Sequence, residues 1–181
     1  MSEDQGIDPR IQLLLDKEEI RELTYRFARG VDRRDAELMR SCYHDDAMDF
    51  HGVFDGPAPD YVRWAEENMP RIADRTTHHV SNGLIEVDGD QAYAESYVLA
   101  AHRYTREDGT TADCLVGARY VDHLERRNGS WRIKTRQLVW EWVRDDVAQD
   151  DLAIPGVARG DLRWGEHGRT DPAYTLGRQA A

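Results

Sequence analysis

Apolar residues recur with a helical period in the N-terminal part of the chain. Ile20, Leu23 and Phe27 fall on one face of a predicted helix, and charged residues occupy the opposite face. Asp16 precedes a glutamate by three residues, which is the spacing of a capping box, and Gly30 follows the last apolar position. These positions predict an amphipathic helix that begins near Asp16 and ends at Gly30.

Shorter elements follow this helix. The turn 31–34 carries Asp32, and Asp35 is placed to cap a second short helix. Residues 48–54 alternate loosely between apolar and polar, as in a strand, whereas residues 61–72 have helical spacing again. The N-terminal part is therefore predicted to be mainly helical.

Four long segments with a strand-like pattern come next, and each is separated from the following one by a turn that contains glycine. They are residues 76–87, 91–106, 110–126 and 130–144. Three consecutive hairpins form an antiparallel meander, and helices followed by a meander indicate an α+β fold. Long strands twist and coil. We therefore expect a cone-shaped, curved antiparallel sheet wrapped around the N-terminal helices, with a pocket on its concave face.

The chain is predicted to divide into one α+β domain, residues 1–144, and an irregular extension, residues 145–181. The extension is rich in Asp, Gly and Arg and shows no clear period, yet it contains Trp164 and Tyr174. We expect it to pack on the domain or on a neighbouring subunit.

Charge narrows the range of partners. The 181 residues include 24 Lys and Arg against 35 Asp and Glu, a formal net charge of -11. An acidic protein repels phosphate backbones and anionic lipid surfaces, so neither nucleic acid nor membrane is expected as a partner. The first ten residues are polar and lack the apolar core of a signal peptide, which makes the cytoplasm the expected location.

No motif in the sequence indicates a cofactor. The glycine-rich patterns that bind nucleotides, the GxSxG elbow of serine hydrolases and the HExxH zinc motif are all missing. The two cysteines, Cys42 and Cys114, belong to no metal-binding pattern, and we expect two reduced thiols, with a disulfide as the alternative. We therefore expect neither a metal nor any other cofactor.

Two polar positions are the first candidates for chemistry. Asp32 follows the predicted end of the first helix, where the negative pole of the helix and burial under the sheet both favour a proton-accepting carboxyl group. The alternative is an exposed turn residue paired with Arg33 or Arg34. His78 and His79 are neighbours on a predicted strand, so that one faces the concavity and can act as an acid or base near neutral pH. The alternative is one surface and one structural histidine.

Several other side chains are candidates for contacting a substrate. Arg119 and Arg136 lie on the last two strands, where an arginine can hold a substrate oxygen or pair with an acid on a neighbouring strand. Aromatic residues that can line a pocket, or simply belong to the core, include Tyr25, Tyr43 and Trp140. His51 and His102 can also face the concavity, and we expect both to be structural.

Several segments, in this order, resemble the SnoaL-like family of the nuclear-transport-factor-2-like superfamily. They are Ile20–Leu23 with Tyr25, Asp32 and Asp35; Cys42–Ala47; Thr77–Asn82; Gly117–Asp122; and Arg126–Ile133. The resemblance covers about residues 10 to 144. It implies the same α+β cone that the hydrophobic pattern predicts.

The resemblance also implies chemistry. The superfamily includes scytalone dehydratase, the bile-acid 7α-dehydratase, hexachlorocyclohexane dehydrochlorinase, ketosteroid isomerases, polyketide cyclases and non-catalytic binding domains. In its eliminating members an Asp after the first helix and a His on the first meander strand form a dyad, which implies Asp32 and His78 here, with Asn82 near the substrate. Phe27 departs from the pattern of the bile-acid enzyme, which has a catalytic Tyr there; Tyr25 or Tyr43 is the possible substitute.

These observations lead to three functional expectations. The first is a cofactor-independent lyase that eliminates water, or another small leaving group such as formaldehyde, from a small, mostly apolar, hydroxylated aromatic or polycyclic compound. The second is a proton-transfer enzyme of the ketosteroid isomerase or cyclase type. The third is a non-catalytic domain for ligand binding or dimerisation.

We also expect a homodimer or homotrimer. Superfamily members commonly pair through their sheets, and the outer face is predicted to carry bulky residues such as Tyr93, Leu138 or Trp140.

Overall fold

The computed structural model describes residues 7–149 and 158–175. The elements, in chain order, are helices and strands with these bounds: α1 Pro9–Arg33, α2 Ala36–Ser41, β1 Tyr43–Phe50, β2 Asp55–Pro57, α3 Ala58–Ile72, β3 Arg75–Asp88, β4 Gln91–Thr105, β5 Thr111–Arg127, β6 Ser130–Val147 and α4 Pro172–Thr175. Two short 3-10 turns, Arg159–Asp161 and Gly168–Thr170, precede α4.

One six-stranded sheet with the order β2-β1-β6-β5-β4-β3 forms the framework. Strands β3 to β6 make the predicted antiparallel meander, which confirms the α+β cone. The prediction of a wholly antiparallel sheet was wrong in one respect, because β1 pairs with β6 in parallel, with Asp49 opposite Arg136. This pairing joins segments more than 80 residues apart, and a local hydrophobic pattern carries no information about it.

Helix α1 is longer at both ends than the sequence pattern predicts. It begins at Pro9, where the side chain of Asp8 accepts a hydrogen bond from the Arg10 amide at 2.8 Å. Asp16 is not a cap: its carboxylate is buried and accepts hydrogen bonds from side chains of β5 and β6. At the other end Gly30 lies inside the helix, which continues to Arg33 and stops at Arg34 with a positive φ of 52°. Asp32 therefore belongs to the last helical turn.

The core is the contact between α1 and the concave face of the sheet. Ile20, Leu23 and Phe27 on α1 are fully buried against a set of residues on the strands that includes Tyr43, Tyr120, Leu124, Trp131 and Ile133. The ring of Phe27 meets those of Tyr43 and Tyr120 edge-on, with centroids 5.7 and 5.9 Å apart. The predicted amphipathic face is thus the face that packs.

A β-bulge in β6 decides which tryptophan faces inward. Gly117 pairs with Trp142 and Ala118 pairs with Trp140, so that the register shifts by one residue at Glu141. Trp140 consequently faces the concavity and Trp142 the outer face, although the two are only two residues apart. Leu138 and Trp140 lie between this bulge and a second register shift at Lys134, so both line the cavity described below, and the prediction that they face outward was wrong.

We predict that Gly30→Ala destabilises the fold, although alanine favours helices. A Cβ at this position would lie 2.7 Å from Cγ of Met39 and 3.0 Å from its backbone nitrogen, where α1 and α2 touch. Overpacking typically lowers the free energy of unfolding by about 1–3 kcal/mol, whereas the higher helix propensity of alanine raises it by up to about 1 kcal/mol. Urea denaturation should show a loss of about 1–2 kcal/mol in the free energy of unfolding. Gly160→Ala, with open space around it, is the neutral control; equal effects would contradict the prediction.

We also predict that the outer face of the sheet pairs with a second copy of the chain. This face exposes the large apolar side chains of Tyr93, Tyr97, Leu99, Val121 and Trp142. Light scattering at micromolar concentration should give two or three times the 20.9 kDa of the chain, and Leu99→Glu should reduce the mass to that of one chain. A native mass near 20.9 kDa would refute the prediction.

Candidate active site

A mainly apolar cavity of about 430 Å³ lies between the helices and the concave face of the sheet. Its volume falls in the range of small-molecule sites. The walls come from α1, α3, the segment after β1 and the inner face of β3 to β6. Residues that line it include Val31, His51, Tyr61, Trp64, Met69, His78, Val98, His102, Cys114, Tyr120, Leu138 and Trp140.

Asp32 and His78 meet at one side of this cavity. The His78 Nδ1 lies 2.7 Å from Oδ1 of Asp32, and the backbone amide of His78 donates a hydrogen bond to Oδ2 at 2.9 Å. Both side chains are about nine-tenths buried. The carboxylate thus holds both the backbone and the ring of the histidine in place.

The carboxylate also determines the tautomer of His78. An ionised carboxylate only accepts hydrogen bonds, so the Nδ1 of His78 must carry the proton that it shares with Asp32. The other ring nitrogen, Nε2, is left with its lone pair, and the side chain lines the cavity. His79, the next residue on β3, is exposed, as expected for alternating side chains on a strand.

His102 is a second histidine at the same side of the cavity. It lies on β4, and its ring meets that of His78 edge-on with centroids 5.5 Å apart. Burial, and next the proximity of His78, lower the pKa of His102 to about 4. The His102 ring is therefore neutral at pH 7, and His78 has no positive charge beside it.

A second chain of polar side chains reaches the cavity from β1 and α3. The Tyr43 hydroxyl donates to Oδ2 of Asp49 at 2.5 Å, and the Nδ1 of His51 bonds to the other carboxylate oxygen. The Tyr61 hydroxyl lies 3.1 Å from the Nε2 of His51, and the two rings stack with centroids 4.3 Å apart. Trp140 completes the group by donating from its Nε1 to the His51 carbonyl at 3.1 Å.

Trp140 lines the cavity, as a substrate-contacting residue must, whereas the two candidate arginines lie elsewhere. Arg119 is on the outer face of the sheet, where it pairs with Glu141 and Glu95. Arg136 is completely buried and forms a bidentate pair with Asp122 at 2.8 and 2.7 Å. Each arginine thus pairs with an acid on a neighbouring strand, which was the alternative expected for both.

Three further candidates also lie outside the cavity. Tyr25 is almost half exposed on the outside of α1. Tyr43 is fully buried and reaches the cavity only indirectly, through Asp49. Asn82 is exposed at a β-bulge in β3, where it adopts a positive φ of 36° that breaks the alternation of side chains. Neither Tyr25 nor Tyr43 lines the cavity, as a substitute for a tyrosine at the position of Phe27 would have to.

His51 and His102, which the sequence led us to expect as structural residues, both line the cavity. Tyr61, which was not among the candidate residues, lines it as well. Tyr61 belongs to the apolar stripe of α3, which indicates a core residue and gives no sign of its hydroxyl contact. His51 follows the end of β1 and contacts Asp49, two residues earlier. This contact cannot be predicted from the sequence, because it depends on how both residues are placed on the sheet.

The predicted irregular extension, residues 145–181, begins within β6, which runs to Val147, and residues 158–175 pack on the outside of α1 and not in the cavity. His167 bonds through Nδ1 to the Asp32 carbonyl at 3.2 Å and through Nε2 to the Asp74 carbonyl at 2.8 Å. Arg33 pairs with Asp171 at 2.9 Å, and the Tyr174 hydroxyl donates to Asp35 at 2.7 Å. The expectation for residues 150–157 and 176–181 lies outside the described residues.

Within residues 7–149 and 158–175, no group of three or more His, Cys, Asp or Glu side chains is arranged to hold a metal ion. Among the helices of these residues, none is long and apolar enough to cross a membrane.

Comparison with solved structures supports the fold. A type 2 hexachlorocyclohexane dehydrochlorinase, LinA, superimposes with a TM-score of 0.69 at 23% identity, covering 82% of this chain and 99% of the other. A candidate scytalone dehydratase from Novosphingobium aromaticivorans gives 0.65 at 24% identity, with 80% and 97% covered. A cystatin-like protein of unknown function from Nostoc punctiforme gives 0.58 at 26% identity, with 79% and 96% covered.

Comparison of the sequence identifies the family. No curated protein matches the chain. Residues 12–137 match the profile of the SnoaL-like domain, and this segment contains most of α1, all of α2 and α3, most of the sheet, and both Asp32 and His78. The chain therefore belongs to the SnoaL-like domain family, within the nuclear-transport-factor-2-like superfamily.

Proposed function

We propose that this protein is a cofactor-independent lyase that removes water, or another small leaving group such as formaldehyde, from a small and mostly apolar hydroxylated substrate. The single observation that carries the proposal is the Asp32–His78 contact at the wall of an apolar cavity. A buried carboxylate and imidazole in direct contact at the wall of a mainly apolar cavity provide a base of fixed orientation.

The geometry supports specific roles for the two residues. Asp32 holds the proton on Nδ1 of His78, so that the Nε2 lone pair is the base that takes a proton from carbon or from a hydroxyl group. The imidazolium that then forms is stabilised by the carboxylate at 2.7 Å. Asp32 is thus the orienting and charge-balancing partner, and His78 the catalytic base.

The apolar walls support the proposed substrate class. Trp64, Val98, Leu138 and Trp140 offer aromatic and aliphatic surface to a ring system. A substrate of this kind gains affinity by leaving water, while the few polar groups of the cavity fix its orientation. Aromatic or polycyclic alcohols match this lining better than charged metabolites do.

Two alternatives are less well supported by the same contacts. A ketosteroid-isomerase-like shuttle needs Asp32 itself to collect the proton, but both oxygens of this carboxylate accept hydrogen bonds from His78. A non-catalytic binding domain requires no buried acid–base pair, and burying one without a function costs stability. The dyad therefore favours elimination with His78 as the base.

We predict that Asp32→Asn and His78→Ala each lower kcat by about 10²- to 10⁴-fold, since each removes the oriented base. Because the two residues act as one unit, the double variant should be little slower than either single variant. Turnover is measured on a panel of hydroxylated aromatic and polycyclic compounds by following alkene formation.

The exposed neighbour His79→Ala is the matched control and should retain full activity. Circular dichroism spectra and melting temperatures establish that each variant is folded. Independent, multiplicative losses for Asp32 and His78, or folded single variants with full activity, would argue against the dyad.

We further predict an acid-dependent loss of stability from His102. Its pKa is about 4 in the folded protein against 6.5 in the unfolded chain. As the pH falls below 6.5 the unfolded chain takes up a proton that folded His102 does not accept until about pH 4, so the free energy of unfolding decreases across this window. At pH 5 this amounts to about 2 kcal/mol.

Urea denaturation at pH 7 and pH 5 measures this effect. His102→Gln should lose less stability than the native chain between the two pH values, whereas His79→Gln, at an exposed position, should behave like the native chain. An identical pH dependence for all three proteins would show that His102 is not held neutral by burial.

A further inference from the structure

The Asp49–His51–Tyr61 chain is a second acid–base unit that the roles assigned above leave unused. Asp49 has no exposed surface, and His51 and Tyr61 are both more than nine-tenths buried, yet both line the cavity that contains His78. The two units reach the cavity from different parts of the sheet: His78 lies on β3, an edge strand, whereas His51 follows β1, the second strand from the other edge. A substrate in this cavity can therefore contact both units.

We propose that Tyr61, supported by His51 and Asp49, is the acid that protonates the departing oxygen, so that the substrate loses water and not a halide. This inference rests on the lyase function proposed above and adds the identity of the acid and the class of leaving group.

The contacts define where the protons are. Asp49 accepts from the Tyr43 hydroxyl at one oxygen and from the Nδ1 of His51 at the other, so Nδ1 of His51 carries a proton. The remaining nitrogen, Nε2, faces the Tyr61 hydroxyl at 3.1 Å. When Nε2 is also protonated it donates to the Tyr61 oxygen and frees the phenolic proton for the cavity.

The surroundings of Asp49 suit a proton relay. Its carboxylate has no exposed surface, and the hydroxyl of Tyr43 and the imidazole of His51 contact its two oxygens. Tyr61 stays a phenol, because burial raises its pKa well above the ordinary value, with the charge of Asp49 the next cause.

The leaving group follows from the presence of this acid. Hydroxide is a poor leaving group, and its departure requires a proton on oxygen, whereas a halide leaves as a stable anion and requires none. A cavity built for halide loss needs a base alone. The base at His78 and the acid at Tyr61 together match a substrate that has a hydrogen and a hydroxyl group on neighbouring carbon atoms.

The complete step balances in atoms and charge. The Nε2 of His78 takes the proton from carbon, and the electrons of the C–H bond become the new C=C bond. The C–O bond breaks with its electron pair on oxygen, which takes the proton of Tyr61, while Tyr61 takes the proton of the Nε2 of His51. The products are an alkene and water; His78 then releases its proton to solvent, and His51 regains one from solvent.

The decisive experiment compares two substrates of one carbon skeleton, a β-hydroxy ketone and the matching β-chloro ketone, on the native chain and on Tyr61→Phe. Tyr61→Phe should lower kcat for the hydroxy compound by about 10²-fold or more and change kcat for the chloro compound by less than about threefold. Tyr97→Phe removes an exposed hydroxyl from the outer face and is the matched control.

The outcomes separate this inference from the function on which it rests. If His78→Ala abolishes turnover of both compounds while Tyr61→Phe slows both equally or neither, the lyase function stands and the acid role of Tyr61 is refuted. If folded His78→Ala turns over both compounds normally, the lyase function itself fails.

Binding of 4-nitrophenol provides a second measurement that needs no turnover. Its phenolate imitates the departing oxygen and is detected by its visible absorbance. The native chain should bind the phenolate at least about tenfold more tightly than Tyr61→Phe does, whereas Tyr97→Phe should bind like the native chain. Equal affinity for the native chain and Tyr61→Phe, or no binding to the native chain, would overturn the proposal.

Discussion

The contact between α1 and the concave face of the sheet is the constraint on which the rest of the structure depends. The apolar stripe of α1 packs tightly through Ile20, Leu23 and Phe27, which are fully buried. One helical turn beyond Phe27, Val31 still belongs to the core but also lines the cavity. The next residue, Asp32, therefore lies at the border between core and cavity. The same contact that stabilises the fold thus determines where the candidate site begins.

Three carboxylates inside the cone each contact a nitrogen-bearing side chain: Asp32 with His78, Asp49 with His51 and Asp122 with Arg136. Such a partner is needed because burying a carboxylate without hydrogen bonds or an opposite charge costs several kcal/mol. The pairs differ in what they offer to the cavity. The arginine of the third pair is closed off by the rings of Phe27 and Tyr120, 4.3 and 4.0 Å away, whereas the histidines of the other two pairs line the cavity and can exchange protons there.

The sequence predicts the helices, the meander and the resemblance that points to Asp32 and His78, since all of these are encoded in local periodicity or in short motifs. What it does not predict depends on contacts between distant segments. The parallel pairing of β1 with β6 is one case, and the inward position of Trp140 is another, because extra residues at Lys134 and Glu141 each reverse the parity of the strand. Arg136 shows the same limit, since its partner on β5 decides whether it reaches a substrate.

The described part of the C-terminal extension affects the site without lining it. The last carbonyls of a helix have no partners within the helix, and in α1 one of these carbonyls belongs to Asp32. His167 bonds to this carbonyl at 3.2 Å, and Arg33 beside it pairs with Asp171 at 2.9 Å. The last turn of α1 is thus held from outside by the extension and from inside by the bonds of Asp32 to His78. Because hydrogen bonds fix this turn on both sides, the carboxylate keeps one orientation, and the base that it positions keeps one as well.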